Sequence, residues 1–223
     1  MQSAAGECFG LVVAAGRGTR FGGLKQFALL GGRPLLSWSL NAFEQSKSVV
    51  GVVVVTNRPK IPFVHTLVQR SGFGKVLAIA PGGRTRSASV RNGLASLPAH
   101  GLVAVHDAAR PFVNAQMLDQ GLAKCIRRGA VTYGYPLSDA VKRVFRGRIT
   151  ETVARRGLYA VQTPQFFRLE LLRRAHANSR GTDAPDDCAL VESLGYRPLV
   201  IPGPLTNFKI TSRADLALAR RLL

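Results

Sequence analysis

Short apolar runs alternate along this chain with longer stretches in which apolar residues recur every three or four positions. The runs Leu11–Ala15, Val49–Val55, Val76–Ala80, Leu102–His106, Ala130–Tyr135 and Pro198–Ile201 predict strands. Several are continuous in Val, Ile and Leu, as expected of parallel strands covered on both faces. The stretches between them predict helices over Pro34–Gln45, Val64–Ser71, Ser87–Leu97, Ala115–Arg128, Leu169–Asn178, Asp187–Leu194 and Arg213–Leu222. Pro34 suits a first helical turn, and Leu118 and Leu122 form an apolar i,i+4 pair. This alternation predicts a doubly wound α/β sheet that binds ligands at the carboxyl ends of its strands.

One stretch breaks the pattern. Val141–Gly157 reads as two short, polar β segments around Arg146-Gly147, a hairpin turn. It fits either a solvated hairpin, the simpler reading, or an arm reaching toward a second subunit. No internal repeat or low-complexity linker divides the chain, so residues 1–223 are expected to form one domain carrying that hairpin.

Composition narrows the class of protein. At 223 residues and 46% hydrophobic, the chain is long and apolar enough to bury a core. No apolar run approaches the ~20 residues of a membrane helix, and MQSAAGECFG lacks the features of a secretory signal. Cys8, Cys125 and Cys188 have no metal-ligand spacing and read as free thiols of a reducing cytoplasm. The net charge of +19 suits either nucleic acid or an anionic small molecule. The basic residues are spread along the chain without an aromatic platform, which favours the small molecule.

Three segments carry candidate chemistry. The first strand runs into Gly16-Arg17-Gly18-Thr19-Arg20, with Lys25 close behind. Glycines let backbone N–H groups approach a phosphate, and Arg20 and Lys25 add positive charge. A dinucleotide fingerprint fails here: Phe21 takes the third glycine position, and Val55-Thr56-Asn57 offers no acid for a ribose. The G-K-[ST] of a P-loop is also absent. A second segment, Pro81–Val90, turns from a strand into a helix; Ser89 either faces a base or phosphate, or caps the helix as Ser87 also could. In the third, Val105–Pro111, Asp107 suits a metal ion or a substrate hydroxyl and Arg110 a phosphate, unless the two simply pair within the turn. No histidine has the partner pattern of a catalytic base.

Together these segments resemble the 2-C-methyl-D-erythritol 4-phosphate cytidylyltransferases of the non-mevalonate isoprenoid pathway. The resemblance runs from about Leu11 to Leu223 and rests on AAGRGTRFGGLKQF, PGGRTRSASVRNGL, VHDAARPFV, ETVARRGLYAVQTPQFF and NFKITSRADLALA. It implies a Rossmann-like nucleotidyltransferase sheet with a protruding β-arm over residues 137–158 that interlocks two subunits. It also implies cytidylyl transfer from CTP to methylerythritol phosphate, with Mg2+ or another divalent cation. Arg20 and Lys25 match the pair that stabilises the transition state. Arg155 and Lys209 match residues that hold the attacking phosphate, and Asp107, Arg110 and Thr163 match further substrate contacts. Ala14, Ala15, Gly16, Gly83, Ser89 and Ala108 match the cytidine and ribose contacts.

Two positions depart from the family pattern. Asp139-Ala140 lacks the usual threonine hydroxyl. Thr182-Asp183 is separated from Asp186-Asp187, with Pro185 where the family's threonine would align. The missing hydroxyl keeps a pentitol 5-phosphate, such as ribitol 5-phosphate, as an alternative acceptor. A basic nucleic-acid binder and a nicotinamide oxidoreductase are the more distant readings, the latter weakened by Phe21.

Overall fold

The computed structural model describes residues 6–179 and 184–223; Thr182 and Asp183 lie outside them. The elements follow in the order β1 (Cys8–Ala14), β2 (Leu29–Leu30), β3 (Arg33–Pro34), α1 (Leu35–Gln45), β4 (Val49–Thr56), α2 (Ile61–Ser71), β5 (Val76–Pro81), α3 (Arg86–Leu94) and β6 (Leu102–Asp107). Then come α4 (Ala115–Arg128), β7 (Ala130–Pro136), β8 (Val141–Phe145), β9 (Arg148–Val153), β10 (Tyr159–Arg168), α5 (Leu169–Asn178), α6 (Asp187–Glu192), β11 (Leu199–Pro202) and α7 (Arg213–Arg220). Pro34 sits at the N-cap of α1 rather than inside its first turn.

Seven strands form one sheet in the order β11-β7-β10-β6-β1-β4-β5. All pair in parallel except β10, which is antiparallel to both β6 and β7. The order reverses between β1 and β6, and a crevice opens at the carboxyl ends there. The continuous apolar strands serve both faces. Val12, Val52 and Val54 pack with Leu36, Leu40 and Phe43 of α1 and Leu118 and Leu122 of α4. Their neighbours Leu11, Val53 and Val55 point the other way, to Val90 and Leu94 of α3 and Leu172 of α5. A smaller cluster of Phe21, Leu30, Leu35, Ile210 and Leu216 ties the loop after β1 to α7.

Strand β10 is the strand of the main sheet that the apolar pattern did not predict. Gln162, Thr163 and Gln165 interrupt it with polar side chains, yet all three are buried. Their polar groups are satisfied internally. Gln162 Nε2 donates to Pro204 O (2.9 Å), and Gln165 Nε2 to Asp186 Oδ2 (2.8 Å). Pro164 falls where the β10–β7 register shifts, so its missing N–H interrupts no continuous ladder.

The polar hairpin forms a separate two-stranded sheet of β8 and β9. Arg146 (φ 48°) and Gly147 (φ 76°) make its turn, the positive-φ pair that two-residue hairpins favour. Val144, Phe145 and Ile149 are exposed on it, at 57, 64 and 65%. Among the described residues no helix is long and apolar enough to cross a membrane.

Packing of α4 onto β10 leaves no room at Gly121, where an added Cβ would lie 2.1 Å from Cζ of the fully buried Phe166. Gly121→Ala gains about 1 kcal/mol of helix propensity, but overpacking of this kind costs about 1–3 kcal/mol. The variant is expected to be less stable than the parent by urea denaturation; a rise in midpoint would contradict the packing.

Candidate active site

The first wall of the crevice is the loop after β1. Gly18 takes φ +65°, and an added Cβ would lie 1.8 Å from the Gly23 carbonyl oxygen, so this tight turn admits only glycine. The N–H groups of Phe21, Gly22 and Gly23 all converge on the Gly18 carbonyl. Strand carbonyls beyond the last ladder bond also need partners. Gln26, 3% exposed, supplies them: its Nε2 donates to Ala14 O (2.7 Å) and Gly16 O (3.1 Å). Asn57 Nδ2 donates to Ala15 O (3.1 Å). Phe21 anchors the loop in the small apolar cluster, under the Arg213 guanidinium at 4.6 Å.

The second wall is the turn from β5 into α3. Thr85, not Ser87 or Ser89, caps α3: its Oγ1 accepts the Ala88 N–H at 3.1 Å. Ser89 is thereby released from the capping role. Its hydroxyl donates to Thr85 O (2.9 Å) and accepts the Gly83 N–H (3.0 Å). Gly82 lies so close to Ala15 that a Cβ would come within 2.3 Å of the alanine methyl. The two glycine loops therefore touch.

The floor is Asp107, at the end of β6 and 7% exposed. Its Oδ1 accepts from Arg86 Nε (3.0 Å) and its Oδ2 from Lys209 Nζ (2.5 Å). These two cations, with Arg110, hold its pKa far below the usual carboxylate range against the opposing effect of burial. Lys209 is brought here because the Ile210 N–H bonds the Ala109 carbonyl (2.8 Å) and Ile210 is fully buried. Asp107 and Arg110 do not pair through their side chains. Only the Arg110 backbone N–H reaches the Asp107 carbonyl (3.0 Å), while its Nη1 donates to Asn207 O (2.8 Å).

These walls enclose a cleft of about 920 Å³. It gathers Ala14, Ala15, Gly16, Gly83 and Ser89 together with Arg20, Lys25, Asp107 and Lys209. Four predicted site residues stand elsewhere. Ala108 is buried, with its N–H on Val13 O. Arg110 is tied to the Asn207 loop. Thr163 is 4% exposed; its hydroxyl accepts the Asp107 N–H (3.0 Å) and pairs with His106 Nδ1 (3.2 Å), so it steadies Asp107 from behind. Arg155 is exposed beyond β9 and does not line the cleft of its own chain. Conversely, Arg86, Gln26 and Asn57 line the cleft although the sequence reading assigns them no site role. Arg86 lies within the PGGRTRSASVRNGL segment and Gln26 within LKQF, but nothing in the sequence distinguishes their roles from those of their neighbours.

The charge balance favours anions. Lys25 has its pKa lowered to about 8, chiefly by burial, then by repulsion from Lys209 and Arg20, with Asp107 and Asp215 opposing. His106 is wholly buried and its pKa is pushed down to about 4, which leaves it neutral at pH 7. Among the described residues no three His, Cys, Asp or Glu side chains form a metal-binding group. Both oxygens of Asp107 already accept from cations. The donor set therefore does not fit a metal caged by protein, and a divalent ion suits this cleft only as part of a metal–triphosphate ligand.

A doubly wound sheet with a basic glycine loop at its switch point and fixed cations around one carboxylate defines an α/β nucleotidyltransferase. The comparisons narrow the class. The profile described as IspD: 2-C-methyl-D-erythritol 4-phosphate cytidylyltransferase matches residues 9–223. The chain belongs to that family. It is 43% identical to the bifunctional enzyme IspD/IspF of Desulforudis audaxviator, over 97% of this chain and 57% of that protein. It is 39% identical to the 2-C-methyl-D-erythritol 4-phosphate cytidylyltransferase of Halalkalibacterium halodurans, over 96% of this chain and 95% of that one. The crystal structure of the Thermus thermophilus cytidylyltransferase superposes with a TM-score of 0.79 at 36% identity, covering 95% of this chain and 96% of that one. That of a 4-diphosphocytidyl-2C-methyl-D-erythritol synthase gives 0.84 at 32% identity, covering 97 and 99%.

The Lys25 environment sets a pH dependence. An anion prefers the protonated lysine, so affinity is greatest below the free pKa and falls as pH rises above about 8. The limiting slope is about tenfold per pH unit. Binding of inorganic triphosphate measured by calorimetry between pH 7 and 9.5 is expected to weaken more steeply in the parent than in Lys25→Arg. Parallel profiles would remove Lys25 from the anion site.

Proposed function

We propose that this cleft transfers a cytidylyl group from CTP to 2-C-methyl-D-erythritol 4-phosphate and releases pyrophosphate. The observation that carries the reading is the convergence of Arg20, Lys25, Asp107 and Lys209 beside two touching glycine loops. The attacking oxygen belongs to a phosphate monoester whose second pKa is about 6. It is largely dianionic at neutral pH and needs no general base, which agrees with a buried, neutral His106. Its oxygen forms a bond to the α-phosphorus of CTP while the bond from that phosphorus to the bridging oxygen of pyrophosphate breaks. The barrier is mutual repulsion of two anions plus charge growing on the leaving group. Arg20 and Lys25, fixed before the reaction, offset that charge. Ala14, Ala15, Gly16, Gly83 and Ser89 form the nucleoside side, where backbone groups and one hydroxyl receive the base and ribose. Mg2+ enters with the triphosphate as part of the substrate.

The acceptor phosphate is assigned to Lys209 and to Arg155 of a second copy. Two observations support a homodimer through residues 137–158. Arg155 does not line its own chain's cleft, and the hairpin carries exposed Val144, Phe145 and Ile149. Asp107 is placed as an acceptor for the substrate hydroxyls and as the partner that orients Lys209, with Thr163, Arg110 and Ala108 supporting the floor. The enzyme is assigned to the cytoplasm, in keeping with three buried free cysteines.

Pyrophosphate release from CTP, Mg2+ and methylerythritol phosphate tests the reading. Turnover should require all three, and no release above the CTP-only rate would contradict it. Lys25→Ala is expected to lower the chemical rate on the order of 100-fold or more, as loss of one preorganised stabiliser does. An unchanged rate would contradict its role.

The crossed arm has its own test. Lys25→Ala and Arg155→Ala proteins, each impaired alone, should recover activity when mixed and allowed to exchange subunits. A mixed dimer holds one site with both residues intact. Failure to recover, with exchange verified, would place Arg155 in the cleft of its own chain or outside the reaction.

A further inference from the structure

A line of buried bonds runs out of the back of the cleft. Arg86 spans two carboxylates: its Nε meets Asp107 Oδ1 at 3.0 Å, and its Nη1 meets Asp187 Oδ2 at 2.7 Å. Its Nη2 is buried without a partner among the described residues, so these two contacts alone set the plane of the guanidinium. Asp187, the first residue of α6, is 0% exposed and has no access to the cleft. Its Oδ1 lies 3.0 Å from Nε2 of His176 on α5, which is 3% exposed. Against an ionised carboxylate that nitrogen is the donor. The Asp187 backbone is fixed as well, its N–H donating to Gln165 Oε1 (3.1 Å).

We propose that His176 and Asp187 are positioning residues for the transfer reaction, gripping one edge of Arg86 so that its other edge holds Asp107, and through it Lys209, in register with the acceptor. The inference rests on the function proposed above. A guanidinium is a planar fork, so holding Nη1 fixes where Nε points. Among the described residues the Asp107 carboxylate is otherwise tied only to the flexible Lys209 side chain, while its backbone N–H meets Thr163 and its carbonyl the Arg110 N–H. Loss of the His176 donor leaves Asp187 free to turn about its Cβ–Cγ bond, and Arg86 turns with it. Misplacement of a reacting group by about 1 Å costs on the order of 100-fold in rate. The nucleoside side does not use this line of contacts, because its loops are held by Gln26, Asn57 and Ser89.

The test is a double-mutant cycle. His176→Leu removes the donor at similar bulk, and His176→Gln keeps an N–H there; each is made alone and in an Asp107→Asn background. Asp187→Asn, nearly isosteric, stands in should His176→Leu fail to fold. His176→Leu is expected to lower kcat/KM for methylerythritol phosphate at least tenfold with KM for CTP within twofold of the parent, and His176→Gln to recover most of the loss. In the Asp107→Asn background His176→Leu should cost nothing further. Exchange of the Arg86 Nε–H, followed by NMR, should be faster in His176→Leu than in the parent. An equal loss in both backgrounds would overturn the proposal, as would unchanged kcat/KM. A parent enzyme without turnover would refute the proposed function, and Nε–H exchange would then decide the positioning claim by itself: unchanged protection in His176→Leu would overturn it.

Discussion

The buried carboxylate of Asp107 is the point on which the cleft depends. A lone ionised carboxylate at that depth would cost several kcal/mol and would protonate instead. It stays charged because Arg86 and Lys209 converge on its two oxygens from 21 and 102 residues away. Satisfying it therefore brings three distant segments together: the end of β6, the start of α3 and the chain before α7. The Asp107 N–H adds a fourth, β10, through Thr163. The demand of one charge for partners thus shapes the floor of the cleft.

The opposite problem governs the mouth of the cleft. Lys25 has its pKa lowered to about 8, first by burial and then by the nearby charges of Lys209 and Arg20. In the proposed reaction the bound triphosphate offsets this charge. Preorganised cations also avoid reorganisation when charge moves onto pyrophosphate. The loops bearing them are held by backbone-directed side chains, chiefly Gln26 and Asn57, so the cations are mounted on a rigid frame. Neutral His106, packed between Thr163 and the Arg110 carbonyl, serves that frame rather than the chemistry.

Much of this was legible in the sequence, for physical reasons that also explain what was not. Strands covered on both faces must be continuously apolar, and β1, β4 and β6 were read from that property alone. Strand β10 is equally central but uses Gln162, Thr163 and Gln165 to hold loops, so its pattern resembles a turn. The glycine loops announced themselves because tight backbone approach demands glycine at positions such as Gly18. Capping was harder: Thr85, Ser87 and Ser89 all have the chemistry of a cap, and only the backbone path selects Thr85. Arg86 was hidden for the same reason. Thirty-one basic residues look alike in a sequence, and what distinguishes this one is a pair of carboxylates that the fold brings to it.

In the proposed reaction, phosphate repulsion is overcome by cations fixed in one cleft. The most direct measurement is a crystal structure with CTP and Mg2+ bound. The triphosphate is expected against Arg20 and Lys25, with the base between the loops that follow β1 and β5. A triphosphate directed away from both side chains would contradict that claim.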